Sequence, residues 1–171
     1  MLTLSMTQDA MKNITKINPW IGTPLESYAL LDPKNKGSFG EELVKIICRD
    51  VYNLNIKNRT NPGHDAIING IKAEIKFSAA TKRNTKYEFT FNHIGLEKDW
   101  ERIIFMGVNG DLNERIVWFY KRDIEEILKT STCISHQQGG KNSNNDDYIS
   151  ANKNSQLLMN HPLAKSMQQW S

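Results

Sequence analysis

The dipeptide Asn69-Gly70 separates two β-prone runs, Ala66-Ile67-Ile68 and Ile71-Lys72-Ala73-Glu74-Ile75-Lys76-Phe77. No other feature restricts the fold of this chain as much. In a type I′ turn, one of the two favoured for tight hairpins, both central residues have positive φ, which Asn and Gly reach most readily. A two-residue turn also sets the register: Ile68 pairs with Ile71, Ile67 with Lys72, Ala66 with Ala73, and Asp65 with Glu74. Opposed residues project from one face with β-carbons about 5 Å apart. Asp65 and Glu74 are therefore expected side by side, with Lys76 on the same face and Ile71, Ala73, Ile75 and Phe77 on the other. Like charges so placed repel. A divalent cation between them removes the conflict, and two carboxylates plus waters suit Mg²⁺.

Two acids, a cation and an ammonium fit phosphodiester hydrolysis. The metal polarises the phosphoryl oxygen and lowers the pKa of a bound water, and Lys76 steadies the nucleophile and the developing charge. The flanking carboxylates favour the charged form of Lys76, so positioning and electrostatic stabilisation come before a general-base role. An acid-x-Lys triplet alone is weak, since Asp32-Pro33-Lys34 is another. That one adjoins a proline and has no partnered strand, and it is rejected.

The rest of the chain reads as a single domain, residues 1–171, in three parts. Residues 1–36 hold Pro19, Pro24 and Pro33 and suggest short helical pieces. Residues 37–53 read as a helix with Phe39, Leu43, Ile47 and Val51 on its apolar stripe, Val44 and Ile46 widening it, Ser38 as N-cap and Glu41 at capping-box spacing. After the hairpin come a basic loop (Lys82, Arg83, Lys86), a strand over 87–91, a short helical crossover over 92–100, buried strands over 102–108 and 115–120, and a helix over 121–129. From Ser131 on there is no Arg or Glu, but six Asn, five Gln and seven Ser in 41 residues, which reads as a polar tail.

Composition narrows the class. A hydrophobic fraction of 39% and a charged fraction of 24% exclude a disordered or fibrous chain. Apolar runs are too short for a membrane span, and the first residues lack a basic signal-peptide region. With two cysteines the chain is expected to be cytoplasmic and without disulfides. A net charge of +3 permits a polyanionic partner without demanding one.

Asp65, the triplet Glu74-Ile75-Lys76, and the preceding Gly37-Ser38-Phe39-Gly40-Glu41 together resemble the PD-(D/E)xK nuclease superfamily, most closely the small type II restriction endonucleases. The resemblance covers residues 37–129. It implies an α/β fold, a restriction-endonuclease-like core with a central mixed β-sheet flanked by helices. It further implies Mg²⁺-dependent cleavage of double-stranded DNA, with Mn²⁺ as a substitute and no nucleotide cofactor. Metal ligands would be Asp65, Glu74 and the Ile75 main-chain carbonyl, with Lys76 near the attacking water and Glu41 in the catalytic group. Family members often carry Pro immediately before the first acid, whereas here the order is Pro62-Gly63-His64-Asp65.

Each residue has a plainer alternative. Asp65, Glu74 and Lys76 could form a solvated strand face, and Glu41 could simply serve a helix N-terminus. Lys82, Arg83 and Lys86 are candidates for phosphate contact or a solvated loop. His136, Gln137, Gln138, Lys141 and Asn142 are candidates for base reading or a flexible loop. His64 reads as a turn residue before an acid–base group, and Cys133 with His136 lacks the second pair that structural zinc needs.

The expectation is a DNA endonuclease, sequence-specific and acting as a homodimer, with residues 1–36 as a candidate interface. Two rivals stand beside it: a structure-selective repair or recombination nuclease, and an inactive DNA-binding module on the same scaffold.

Overall fold

In the computed structural model, Asn69 and Gly70 sit at φ +50° and +82°, and the strands they join pair as the turn requires. Strand β2 (Ala66–Ile68) lies antiparallel to β3 (Ile71–Ala80), with Ile68 opposite Ile71, Ile67 opposite Lys72, and Ala66 opposite Ala73. The structure describes residues 3–15, 20–80, 82–83, 86–87, 89–109, 114–136, 149–151 and 155–171. They divide into two units, Met1–Lys36 and Gly37–Ser171.

The first unit carries α1 (Leu4–Thr15) and a 3₁₀ turn at Ser27–Leu30. Leu4, Met6, Ile21 and Leu30 are exposed.

The second unit is a mixed α+β structure. With β1 (Ile56–Asn58), β7 (Arg102–Asn109) and β8 (Glu114–Tyr120), the hairpin forms a five-stranded sheet in the order β1-β2-β3-β7-β8. Strands β3 and β7 are parallel and the other pairs antiparallel. Between β3 and β7 the chain passes through a two-stranded ribbon, β4 (Lys82–Arg83) with β5 (Lys86–Tyr87), and then β6 (Phe91–Ile94). The expected crossover helix over 92–100 is absent. Phe91 and Ile94 are buried because β6 joins a second sheet, β6-β10-β9, formed with residues far along the chain. Lys82, Arg83 and Lys86 of the expected basic loop lie in the two strands of the ribbon.

Helix α2 (Pro33–Asp50) starts four residues before the expected position. Asp32 caps it: its Oδ1 accepts the Asn35 N–H at 2.9 Å, and the Asn35 side chain donates to Oδ2 at 2.8 Å. Pro33 is then the first helical residue, where a missing N–H does no harm. Ser38 lies inside the helix. The buried stripe is Gly40, Val44 and Cys48: Val44 lies there as expected, but the stripe centres one residue on from Phe39, Leu43 and Ile47, and Ile46 and Val51 are exposed. Gly40 explains the phase. A Cβ there would overlap the Phe77 side chain of β3, so the helix lies on the sheet through its glycine.

The other face of the sheet carries the main core. Ile103, Phe105, Val117 and Phe119 pack with Phe91, Ile94 and the helix α3 (Lys121–Thr130) through Ile124 and Ile127. Phe105 stands edge-on to Phe91 at 4.9 Å and to Phe119 at 5.9 Å. Helices therefore flank both faces.

The described parts of the polar tail pack into the core. Strands β9 (Ser135–His136) and β10 (Ile149–Ala151) and helix α4 (Ser155–Met159) contribute Ile149, Ala151, Leu158 and Met159 to the core. Trp170 is buried against Trp118 at 5.2 Å and donates its indole N–H to the Ile68 carbonyl at 3.2 Å. Arg102 lies 4.4 Å over Trp118 and 4.8 Å over Trp170 and donates to the Trp170 carbonyl. Lys165 exchanges both backbone hydrogen bonds with Trp118, at 2.9 Å each, which covers the edge of β8. Asn, Gln and Ser set the composition of this segment, but a few spaced apolar residues decide its packing. No helix among the described residues is long and apolar enough to cross a membrane.

Candidate active site

The site forms where the hairpin ladder ends. The paired residues stop at Ala66 and Ala73, so Asp65 is not the ladder partner of Glu74 that the register extends to. Its N–H donates instead to the Ala73 carbonyl at 2.9 Å. Its Oδ2 accepts the Ile75 N–H at 2.8 Å, in place of the next ladder bond. In a strand, the N–H and C=O of one residue point to the same neighbour. The Ile75 carbonyl therefore faces the edge where Asp65 sits, past the end of β2.

Glu74 departs from the solvated-face alternative. It is 2% exposed, because β7 runs beside it and its neighbour in register is Ile103, a residue of the main core. A buried carboxylate needs partners. Its Oε1 lies 2.8 Å from Lys76 Nζ and 3.4 Å from Lys98 Nζ. Lys76 is 16% exposed and Lys98 37%.

Two further carboxyls are electrostatically strained. Burial, and after it the charge of Glu74, raises Asp65 above its ordinary pKa against the pull of the Ile75 N–H, Lys76 and Lys98. Burial, and after it the charge of Asp65, raises Glu41 as well, opposed by Lys45, Arg59 and Lys76. Glu41 rather than Glu42 is thus within electrostatic reach of Asp65 and Lys76. Glu42 is exposed and pairs with Lys45 at 2.9 Å.

The donor set is all oxygen, with negative charge that the protein neutralises only in part. Both features fit a hard divalent cation held by Asp65, Glu74 and the Ile75 carbonyl. Among the described residues no three His, Cys, Asp or Glu side chains converge as a ready ligand group. The protein offers two carboxylates and a main-chain carbonyl, and Mg²⁺ commonly keeps several waters.

His64 is fully buried. Its Nε2 lies 3.3 Å from the Thr60 N–H, and its Nδ1 has no hydrogen-bond partner among the described residues. It belongs to a loop tied down by Asn61, whose side chain donates to Asp99 at 3.2 Å, and by the Lys72–Asp99 ion pair at 2.6 Å.

The other expected residues lie elsewhere. Lys82, Arg83 and Lys86 are in the β4–β5 ribbon, and their side chains lie outside the described residues. His136 is in β9 opposite Ile149, half-buried, rather than in a loop. Gln137, Gln138, Lys141 and Asn142 lie outside the described residues. Lys98 escaped the sequence reading because Glu97-Lys98-Asp99 resembles any solvated charge run. Only the parallel crossover brings it to Glu74. Comparison of the chain with protein-family models and with curated proteins finds no match.

Proposed function

We propose that this protein is a Mg²⁺-dependent DNA endonuclease of the PD-(D/E)xK kind that cuts double-stranded DNA at a specific sequence. One observation carries the reading: at the end of the hairpin Asp65 is held by the Ile75 N–H at 2.8 Å, next to buried Glu74 with Lys76 at 2.8 Å from it. A divalent cation bound there supplies positive charge to a phosphoryl oxygen and eases deprotonation of a water. Lys76 orients the attacking water and stabilises the charge that develops on the phosphate. Asp65 is oriented by the Ile75 N–H, which spares its other oxygen for a ligand role. Glu41 extends the acidic edge from α2. The two strands of a duplex need two such sites, so a homodimer is expected, and exposed Leu4, Met6 and Leu30 make the first unit its candidate interface.

The test is digestion of a large unmethylated DNA with Mg²⁺, followed by sequencing of fragment ends. Discrete fragments with one shared end sequence are expected, abolished by a chelator and by Glu74→Ala. Cleavage confined to branched or mismatched substrates would replace the sequence-specific reading with a structure-selective one. Activity unchanged in Glu74→Ala would reject the site.

A further inference from the structure

Glu74 has two ammonium partners, and they are not equivalent. Lys76 is the nearer and the more buried, whereas Lys98 is 3.4 Å away and 37% exposed. The main chain beneath Lys98 is firmly held. Its carbonyl accepts Lys121 Nζ at 2.6 Å, and its N–H donates to the Gly95 carbonyl at 3.4 Å. That carbonyl also accepts the indole N–H of buried Trp100 at 2.6 Å, and Lys121 lies 5.1 Å over the Trp100 ring. A long flexible side chain thus projects from a fixed turn, with its charge only loosely engaged.

We infer that Lys98 is a second phosphate-binding cation of this site, held on Glu74 until a divalent cation takes that carboxylate and then turned toward the DNA backbone. The inference rests on the nuclease reading. Charge arithmetic supports it. Lys76 and Lys98 leave one negative charge unbalanced among Asp65, Glu74 and Glu41, so a divalent cation brings more positive charge than the acids can absorb and leaves one ammonium in surplus. The longer, more exposed contact is the one that yields, and a DNA phosphate is the anion at hand. A compact ammonium on a four-carbon stem suits the change of partner.

The experiment uses the full chain and its Lys98→Gln and Lys98→Arg variants. Binding of a fluorescent duplex carrying the mapped cut site is followed by anisotropy against salt, with Ca²⁺ in place of Mg²⁺ to prevent turnover. Each lost phosphate contact reduces the slope of log K on log salt by about 0.9. Lys98→Gln is expected to lower the slope by about one contact, and Lys98→Arg to retain it. Calorimetric titration of the DNA-free proteins with Mn²⁺ supplies a second readout. Loss of a competing ammonium is expected to leave Mn²⁺ affinity of Lys98→Gln equal or higher. An unchanged slope overturns the inference, as does weakened Mn²⁺ binding, which would make Lys98 a support for the ligands. If the wild-type chain cuts DNA while either of these holds, only the inference falls. If it neither binds nor cuts DNA, the nuclease reading falls and takes the inference with it.

Discussion

Replacing Lys76 by Met tests whether Glu74 is held as a buried ion. The Lys76 contact of 2.8 Å corresponds to a gross attraction of about 6 kcal/mol at an effective dielectric near 20, and the Lys98 contact of 3.4 Å to about 5 kcal/mol. Desolvation of both ions offsets much of this. Breaking a buried pair from one side destabilises by about 3–5 kcal/mol, because the remaining charge is stranded. Lys98 still reaches Glu74, and Lys76 is partly solvated, so the low end applies, about 3 kcal/mol. For a chain of this size that lowers Tm by roughly 6–12 °C. Removing the acid as well leaves no stranded charge, so Glu74→Gln/Lys76→Met is expected to recover most of the loss. The assay is a double-mutant cycle by denaturant unfolding in chelator, with a coupling energy of about 2 kcal/mol expected. Additivity within about 0.5 kcal/mol would refute the reasoning, since Glu74 would then not depend on Lys76 in the folded state.

Three more outcomes follow from the geometry. The folded pKa of Asp65 is raised, so without divalent cation its contribution to stability is lost as pH rises through that value and regained as pH falls toward the ordinary carboxylate value of about 3.9. Thermal melts across this range are expected to show a flatter pH response for Asp65→Asn, and a stabilisation by Mg²⁺ in the wild type, about 2.7 kcal/mol at 100 times Kd, that the variant lacks. Gly40→Ala is expected to destabilise by about 1–3 kcal/mol because a Cβ would overlap Phe77. Gly37→Ala meets nothing and is expected to gain up to about 1 kcal/mol from helix propensity; urea titration of both variants separates the two glycines, and equal effects would contradict the packing. Trp170→Ala is expected to lose about 3–5 kcal/mol through its contacts with Trp118 and the Ile68 carbonyl, and a melt within 2–3 °C of wild type, about 1 kcal/mol at this size, would show that the C-terminal residues do not support the sheet.

What could be read from the sequence was local. The register of the hairpin follows from the conformational preference of Asn69-Gly70, a property of two adjacent residues. The strands at 102–109 and 114–120 and the helix after them follow from apolar runs and periodicity, which report burial without naming a partner. The start of α2 was legible too, since Asp32-Pro33 is a cap followed by a first-turn proline.

The remainder depended on partners distant in the chain, and periodicity carries no information about those. Which stripe of α2 is buried was decided by Gly40 meeting Phe77. Whether residues 92–100 form a helix was decided by β10, whose Ile149 pairs with Ile94 from far along the chain. The candidate site divides the same way. Asp65, Glu74 and Lys76 share one hairpin, and their proximity was implicit in a two-residue turn. The burial of Glu74, the approach of Lys98 and the coupling of Glu41 to Asp65 required β7, the crossover turn and α2 to meet. A sequence specifies which charges are neighbours along a strand, but only tertiary packing removes the water around them, and that removal turns neighbouring charges into a site.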